Sequence, residues 1–153
     1  MNDPKLYQWE NPSLNRSHNT KKEIDKMKRE RKIFKLHEAV LDNNAELVKS
    51  CIAEGADVNE KDENSFTPLH YAVQDDLLEI AKILLDSGAN VDSKNGYGNT
   101  PLFMATVYYK PSLITLLLEH GANMNEENKS GVSPYGLAKT IINYPLLQFF
   151  EQK

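Results

Sequence analysis

The sequence predicts an all-α fold, a solenoid of stacked helix–turn–helix units, and three observations support this prediction. Residues 67–72 read Thr-Pro-Leu-His-Tyr-Ala, and the pattern returns 33 positions later at 100–105 and, more loosely, at 133–138. A second phrase keeps the 33-residue step and begins at Gly55, Gly88 and Gly121. An apolar run with helical spacing precedes each of these glycines. Repetition at one fixed period indicates stacked units that share a continuous core.

The first helix of each unit is predicted to begin at its proline. The residue before that proline is Thr67, Thr100 or Ser133, whose side-chain oxygen can cap exposed backbone N–H groups. Proline suits the first helical position because it has no N–H to leave unsatisfied. Leu69 and Ala72 then lie three residues apart and share one helix face.

A second helix is predicted before each glycine of the second phrase. Leucine-rich runs such as 78–85 and 113–118 supply its apolar face. The glycines are expected to end these helices in a left-handed conformation. The polar stretches that follow, such as 60–66 and 93–99, predict projecting turns.

The period and the Thr-Pro-Leu-His-x-Ala pattern resemble the ankyrin repeat family. Residues 34–39 keep Leu36, His37 and Ala39 of the pattern and resemble a degenerate first copy. The resemblance covers about residues 32–153, in four repeats with expected bounds of 29–61, 62–94, 95–127 and 128–153. It implies hairpin-like projecting loops, and it implies that His37 and His70 tie neighbouring turns together through hydrogen bonds.

The N-terminal segment departs from a plain repeat array. Residues 1–19 form a predicted tail or arm, whose Leu-Tyr-Gln-Trp stretch at 6–9 either packs back on the domain or serves as a docking peptide. Residues 20–23, Thr-Lys-Lys-Glu, resemble a capping box, and no glycine or proline follows before Leu41. We therefore expect one long helix from about Thr20, which caps the first repeat of a domain spanning 20–153.

Charge is divided unevenly along the chain. Residues 1–37 contain ten Lys or Arg and five Asp or Glu, whereas residues 38–153 contain eight and seventeen, a net charge of −9. An acidic face favours a basic partner, although it can equally serve as a solubilising surface. The polar first ten residues lack the apolar core of a signal peptide, and no apolar run is long enough to span a bilayer. A cytoplasmic location is expected.

The sequence shows no pattern typical of catalysis or of cofactor binding. No His or Cys pair has zinc-ligand spacing, and no glycine-rich phosphate loop follows a strand. The lone cysteine, Cys51, occupies an apolar helical position and is expected to be a buried structural thiol. We expect no enzyme activity, no metal, no cofactor and no small-molecule substrate.

The resemblance implies that a partner contacts the tips of the loops and the exposed face of the first helices. Stepping by 33 residues gives the candidate tip positions Glu63, Asn64, Phe66, Tyr97, Asn99, Lys129 and Val132. The candidate positions at the helix ends and turns are Asp42, Gln74, Asp75, Val107, Tyr108, Tyr109 and Ile141. Phe66, Tyr97 and Tyr108 are expected to be exposed, and exposed aromatic residues are typical interface anchors. They could instead pack on a neighbouring tip or turn.

The predicted function is non-catalytic binding of a specific protein, which we expect to be basic. An alternative is a dedicated inhibitor, because a compact acidic ankyrin protein resembles bacterial immunity proteins that neutralise a cognate toxin. A third alternative is nucleic-acid binding through the basic run at 26–32, although Glu30 interrupts it and no aromatic pattern accompanies it. No membrane association is expected.

Overall fold

The structure, a computed structural model, describes residues 21–141 and 144–151, and it describes the side chains of these except for 27–34 and 144. The predicted tail of residues 1–19 and the capping residue Thr20 lie outside the described part. The chain divides into two units, residues 1–32 and residues 33–153. Within the first unit the described residues, 21–32, are helical throughout.

The described residues form helices joined by turns, and none of them lies in a strand. In chain order the helices are α1 (Lys21–Leu41), α2 (Ala45–Ala53), α3 (Pro68–Gln74), α4 (Leu78–Asp86), α5 (Pro101–Val107), α6 (Pro111–Glu119), α7 (Pro134–Thr140) and α8 (Tyr144–Glu151). From α3 onwards, a short and a longer helix alternate in each repeat. The all-α repeat fold is confirmed, and the expected hairpin loops are hydrogen-bonded turns here.

The first helices begin where the sequence predicts. The hydroxyl oxygens of Thr67, Thr100 and Ser133 each accept a hydrogen bond from the backbone N–H three residues later, and a proline occupies the first turn each time. These side chains satisfy N–H groups that a helix leaves without partners. The repeated Thr-Pro pattern therefore fixes the start of each unit.

The second helices end at the predicted glycines. Gly55, Gly88 and Gly121 have φ angles of 92°, 94° and 82°. This conformation is unfavourable for residues that have a Cβ atom but not for glycine. The N–H of the residue after each glycine bonds a carbonyl one turn back in the helix, as in Ala56 N to Cys51 O at 3.0 Å. The chain is thereby turned toward the next projecting loop.

One hydrophobic core runs through the second unit, residues 33–153. Leu36, Leu69 and Leu102 recur at the 33-residue step and are fully buried, as are Ala39, Ala72 and Ala105 three residues later in each case. Successive first helices pack on each other, α3 on α5 and α5 on α7. The small alanines permit this close approach, and Cys51 is buried as expected.

The long N-terminal helix is confirmed, since α1 runs without interruption from Lys21 to Leu41. Its last turns, with Leu36, Ala39 and Val40, belong to the core of the second unit. The capping role of the preceding turns and the expected domain and repeat bounds stay predictions.

Candidate functional site

Each projecting loop is closed by one Asp or Asn side chain. The Oδ1 atom of Asp62 accepts hydrogen bonds from the N–H groups of Asn64 and Phe66, both at 2.9 Å. Asn95 and Asn128 make the same pair of bonds in the next two repeats. Such side-chain-to-backbone bonds stabilise tight turns. These residues were not singled out from the sequence, although their 33-residue spacing is visible there.

The tips are also bonded to one another. Gly96 N donates to Asn64 O at 2.9 Å, and Lys129 N donates to Tyr97 O at 3.2 Å. We call residues 62–66, 95–99 and 128–132 the tip row. Because both the loops and the links between them are hydrogen-bonded, the tip row presents its outward side chains from a fixed backbone.

Histidine ties neighbouring repeats together, as the resemblance implied. His37 Nε2 lies 3.3 Å from the carbonyl oxygen of Phe66, and His70 Nε2 lies 3.0 Å from that of Asn99. In the third repeat Phe103 occupies the equivalent position. There, the side-chain bond from Asn128 Nδ2 to Asn99 Oδ1, at 2.9 Å, links the loops instead.

The contacts of His70 indicate which ring nitrogen carries its proton. Its Nδ1 accepts a hydrogen bond from Thr67 N at 3.1 Å, and its Nε2 faces a carbonyl oxygen, so Nε2 carries the proton of the neutral ring. Burial lowers the pKa of His70 below its ordinary value, and the nearby Lys61 charge lowers it further, against the opposing hydrogen bond to Asn99. A proton on Nδ1 would also point a donor at the N–H of Thr67.

We expect the folded protein to lose stability as the pH falls from 7 to 5. The pKa of His70 is lower in the folded chain than in the unfolded chain, so protonation below about pH 6.5 favours unfolding. The slope contributed by one such group is at most about 1.4 kcal/mol per pH unit. Urea denaturation across this range measures it. His70→Phe, which copies Phe103, should flatten the slope, and an unchanged slope would contradict the assignment.

The close approach of two tips at Gly98 gives a second stability test. Gly98 has φ 76°, and a Cβ there would lie 2.8 Å from Lys129 N. Gly131 has φ 73°, but a Cβ there would meet nothing within 4 Å. Gly131→Ala should therefore cost only the left-handed strain, about 1 kcal/mol. Gly98→Ala adds a backbone clash and should cost about 2–4 kcal/mol. Equal losses in thermal denaturation would argue against the tip contact.

The second candidate surface lies at the opposite ends of the first helices. The turns after α1, α3 and α5 are alike, because the N–H groups of Asn44, Leu77 and Lys110 bond the carbonyls of Ala39, Ala72 and Ala105 at 2.8–2.9 Å. We call residues 41–43, 74–76, 107–109 and 140–141 the turn row. A seven-residue helix is about 10 Å long, which separates the turn row from the tip row.

The turn row contains left-handed residues that are not glycine. Asn43, Asp76 and Tyr109 have φ angles of 51°, 58° and 50°. Asn and Asp tolerate this region, whereas a large aromatic residue is unusual there. Tyr109 is 43% exposed, so the need to bury an aromatic ring does not explain why a tyrosine occupies this position. Strained backbone at an exposed aromatic residue is typical of functional sites.

Replacing Tyr109 by glycine should raise the free energy of unfolding by about 0.5–1 kcal/mol, because glycine removes the left-handed strain. Asn43→Gly is the matched control at the same turn position, and it should change stability little because Asn already tolerates that conformation. Chemical denaturation measures both. A loss of stability in Tyr109→Gly would show that the tyrosine ring, and not the backbone, governs this turn.

Most of the predicted partner-contact residues are exposed. Tyr97 is the most exposed of the large hydrophobic residues described, at 70%, and Tyr108 is 50% exposed. The other exposed predicted residues are Asp42, Glu63, Asn64, Gln74, Asp75, Val107, Tyr109, Lys129 and Ile141. The tip row brings together Asn64, Tyr97 and Lys129, and the turn row contains the helix-end residues.

Three predicted contact residues instead pack within the fold. The expected exposure of Phe66 is not observed, because its ring is half-buried against those of His70 and Tyr71, with centroids 5.5 and 5.3 Å away. An apolar ring beside a loop base is buried more favourably than it is solvated. Asn99 is half-buried and bonded to Asn128, and Val132 is also half-buried.

The turn row combines carboxylates with one internal ion pair. Lys110 Nζ lies 3.4 Å from Asp76 Oδ2, which joins the third turn to the second. Asp75, which precedes Asp76 in the chain, is exposed, and so is Asp42 in the first turn. The nucleic-acid alternative depends on the run 26–32, and the side chains of 27–32 lie outside the described part.

A half-buried polar pair, Tyr71 and Asp62, supports the first tip. The hydroxyl of Tyr71 donates to Asp62 Oδ2. Burial, strengthened by this bond and by the carboxylate charge, raises the pKa of Tyr71 to about 12. Burial acts to raise the pKa of Asp62, but the hydrogen bonds from Tyr71, Phe66 and Asn64 together hold it below its ordinary value. The pair therefore keeps its hydrogen bond at neutral pH.

Within the side chains that the structure describes, no group of three or more His, Cys, Asp or Glu is placed to hold a metal ion. None of the described helices is both long and apolar enough to cross a membrane.

Comparison with known proteins identifies the repeats. A family model described as ankyrin repeats (3 copies) matches residues 36–128, more than half of the chain. A search of curated proteins finds no match. The matched region includes the candidate tips of the second and third repeats, together with the turns after α1, α3 and α5.

Proposed function

Because the chain belongs to the ankyrin repeat family, we propose that it is a non-catalytic module that binds one specific protein with a basic surface. Ankyrin repeats are in general protein–protein interaction modules, and the family is typically non-catalytic. The finer assignment, to a basic partner and to particular residues, comes from the side chains that this chain exposes.

The observation that carries the proposal is the exposure of large aromatic side chains on a backbone held in place by hydrogen bonds. Tyr97 extends from the tip row, where its own carbonyl and N–H groups are both bonded. Tyr108 caps α5, and its N–H donates to Met104 O. Interfaces obtain much of their affinity from such aromatic anchors, and a fixed backbone reduces the entropy lost on binding.

Charge supports a basic partner. The region 38–153 has a net charge of −9, and Asp42, Glu63 and Asp75 are exposed among the candidate contact residues. Complementary charge accelerates association and disfavours acidic competitors. We also propose a cytoplasmic location, with which the buried thiol of Cys51 is compatible.

A narrower version of the proposal is an inhibitor that neutralises a basic toxin, as an immunity protein does. The excess of carboxylates favours it, since a nuclease-like toxin presents a basic nucleic-acid site. Co-expression with the products of neighbouring genes tests this version. Rescue of growth from one toxic product would support it, and a lack of rescue from every product would leave only the general binding role.

The proposal itself is tested by chemical crosslinking in the native cells followed by mass spectrometry. The partner should be a basic protein, and its capture should decline when Tyr97 and Tyr108 are both replaced by Ser. Exposed Leu47 and Leu78, on α2 and α4, provide the matched control pair. Equal capture by the tyrosine variant and the control variant would overturn the proposal.

A further inference from the structure

The turn row changes chemistry abruptly between its second and third repeats. At corresponding positions the second repeat has Gln74, Asp75 and Asp76, whereas the third has Val107, Tyr108 and Tyr109. Because the backbone hydrogen bonds of the two turns match, the difference lies in the side chains alone. The ion pair from Lys110 to Asp76 shows that the two turns are in direct contact.

The third-repeat half forms an exposed apolar patch together with Ile141 of the fourth repeat. The side chains of Val107, Tyr108, Tyr109 and Ile141 are between 38% and 50% exposed, and α7, which ends next to Ile141, packs on α5. A contiguous group of exposed apolar side chains marks an interaction surface more often than isolated ones do. The turn imposes a left-handed conformation on Tyr109, and this conformation costs tyrosine more than it costs the Asn and Asp at the equivalent positions.

The second-repeat half supplies negative charge beside this patch. Lys110 partners Asp76, whereas Asp75 is exposed and has no ion-pair partner among the described side chains. A cation that approaches the apolar patch from this side therefore meets Asp75. The apolar patch and the carboxylate lie on adjacent first helices, whose axes are about 8–10 Å apart.

We propose that the turn row binds a partner segment in which an apolar side chain lies next to a lysine or arginine. The apolar side chain contacts Val107, Tyr108 and Ile141, and the cation lies against Asp75. This inference rests on the proposed function and assigns the chemistry of the partner segment. The apolar contact slows dissociation, whereas the charge contact accelerates association and weakens as salt rises.

Selection of a random peptide library on the immobilised protein provides the test. Enriched peptides should carry Lys or Arg within about two positions of a large apolar residue, the spacing that one helix-to-helix step allows. A synthetic enriched peptide, titrated into isotope-labelled protein, should shift the amide resonances of 74–76 and 107–110. Tyr108→Ser should weaken it about tenfold or more. Asp75→Asn should weaken it several-fold at low salt only.

The matched controls are Glu79→Gln, an exposed carboxylate on α4, and Leu78→Ser, an exposed apolar residue on the same helix. Both should leave the peptide affinity unchanged. Enriched peptides that are basic but shift the tip row instead would overturn this inference and leave the proposed function standing. Enrichment of acidic peptides would contradict both, whereas no enrichment at all would overturn this inference alone.

Discussion

Replacing Leu102 by alanine is expected to lower the free energy of unfolding by about 2–5 kcal/mol, the largest loss among the single changes considered. Leu102 lies in the first turn of α5 and is fully buried. The cost has two parts, the lost burial of the side chain and the cavity left behind. In a repeat protein the cavity also weakens the packing of the adjacent repeats, because a central repeat stabilises both of its neighbours. Here α5 packs on α3 and on α7.

Leu78→Ala is the control for this change, since Leu78 is a leucine on α4 that is 43% exposed. It should cost less than about 0.5 kcal/mol, as surface substitutions generally do. Urea denaturation followed by circular dichroism measures both variants. Similar losses at the two positions would mean that the core is not organised around the Leu36, Leu69 and Leu102 series.

Replacing Tyr97 and Tyr108 together by alanine is expected to weaken partner binding by more than about 2 kcal/mol, roughly thirtyfold in dissociation constant. Tyr97 lies in the loop before α5 and Tyr108 caps the end of α5, and both are at least half exposed. Their loss removes apolar area from the interface and leaves the core untouched. The melting temperature should therefore change little.

Titration calorimetry with the partner that crosslinking identifies measures the affinity of each single variant and of the double variant. The single variants locate the binding energy, because the two residues are far enough apart for additive effects. A pair that binds as well as the unmodified protein would remove both tyrosines from the interface. A pair that also unfolds at a lower temperature would show that the rings stabilise the fold.

The regular part of the molecule was predictable because its signals are local. Thr67 and Thr100 cap helices through their own side chains, and the glycines after the second helices need a left-handed residue wherever they occur. Each signal recurs at the same spacing, so the stacking follows from the repetition itself. The resemblance to the ankyrin family implied the structural role of His70, and its bond to Asn99 confirms that role.

The irregular part was predictable only in outline. The predicted exposure of Phe66 was wrong, because the rings of His70 and Tyr71 partly cover Phe66 once α3 has formed. The left-handed conformation of Tyr109 could not be expected from its residue type. It follows from the turn geometry that the repeat imposes, as the similar angles of Asn43 and Asp76 show.

Amide hydrogen exchange tests the central claim most directly, when it is measured on the protein alone and on its complex with the partner that crosslinking identifies. The claim is that the partner contacts the tip row at Tyr97 and the turn row at Asp75, Tyr108 and Tyr109. The amides of 74–76, 96–99 and 107–110 should exchange more slowly in the complex, while those of α4 and α6 should be unchanged. Protection confined to α4 and α6 would contradict the account.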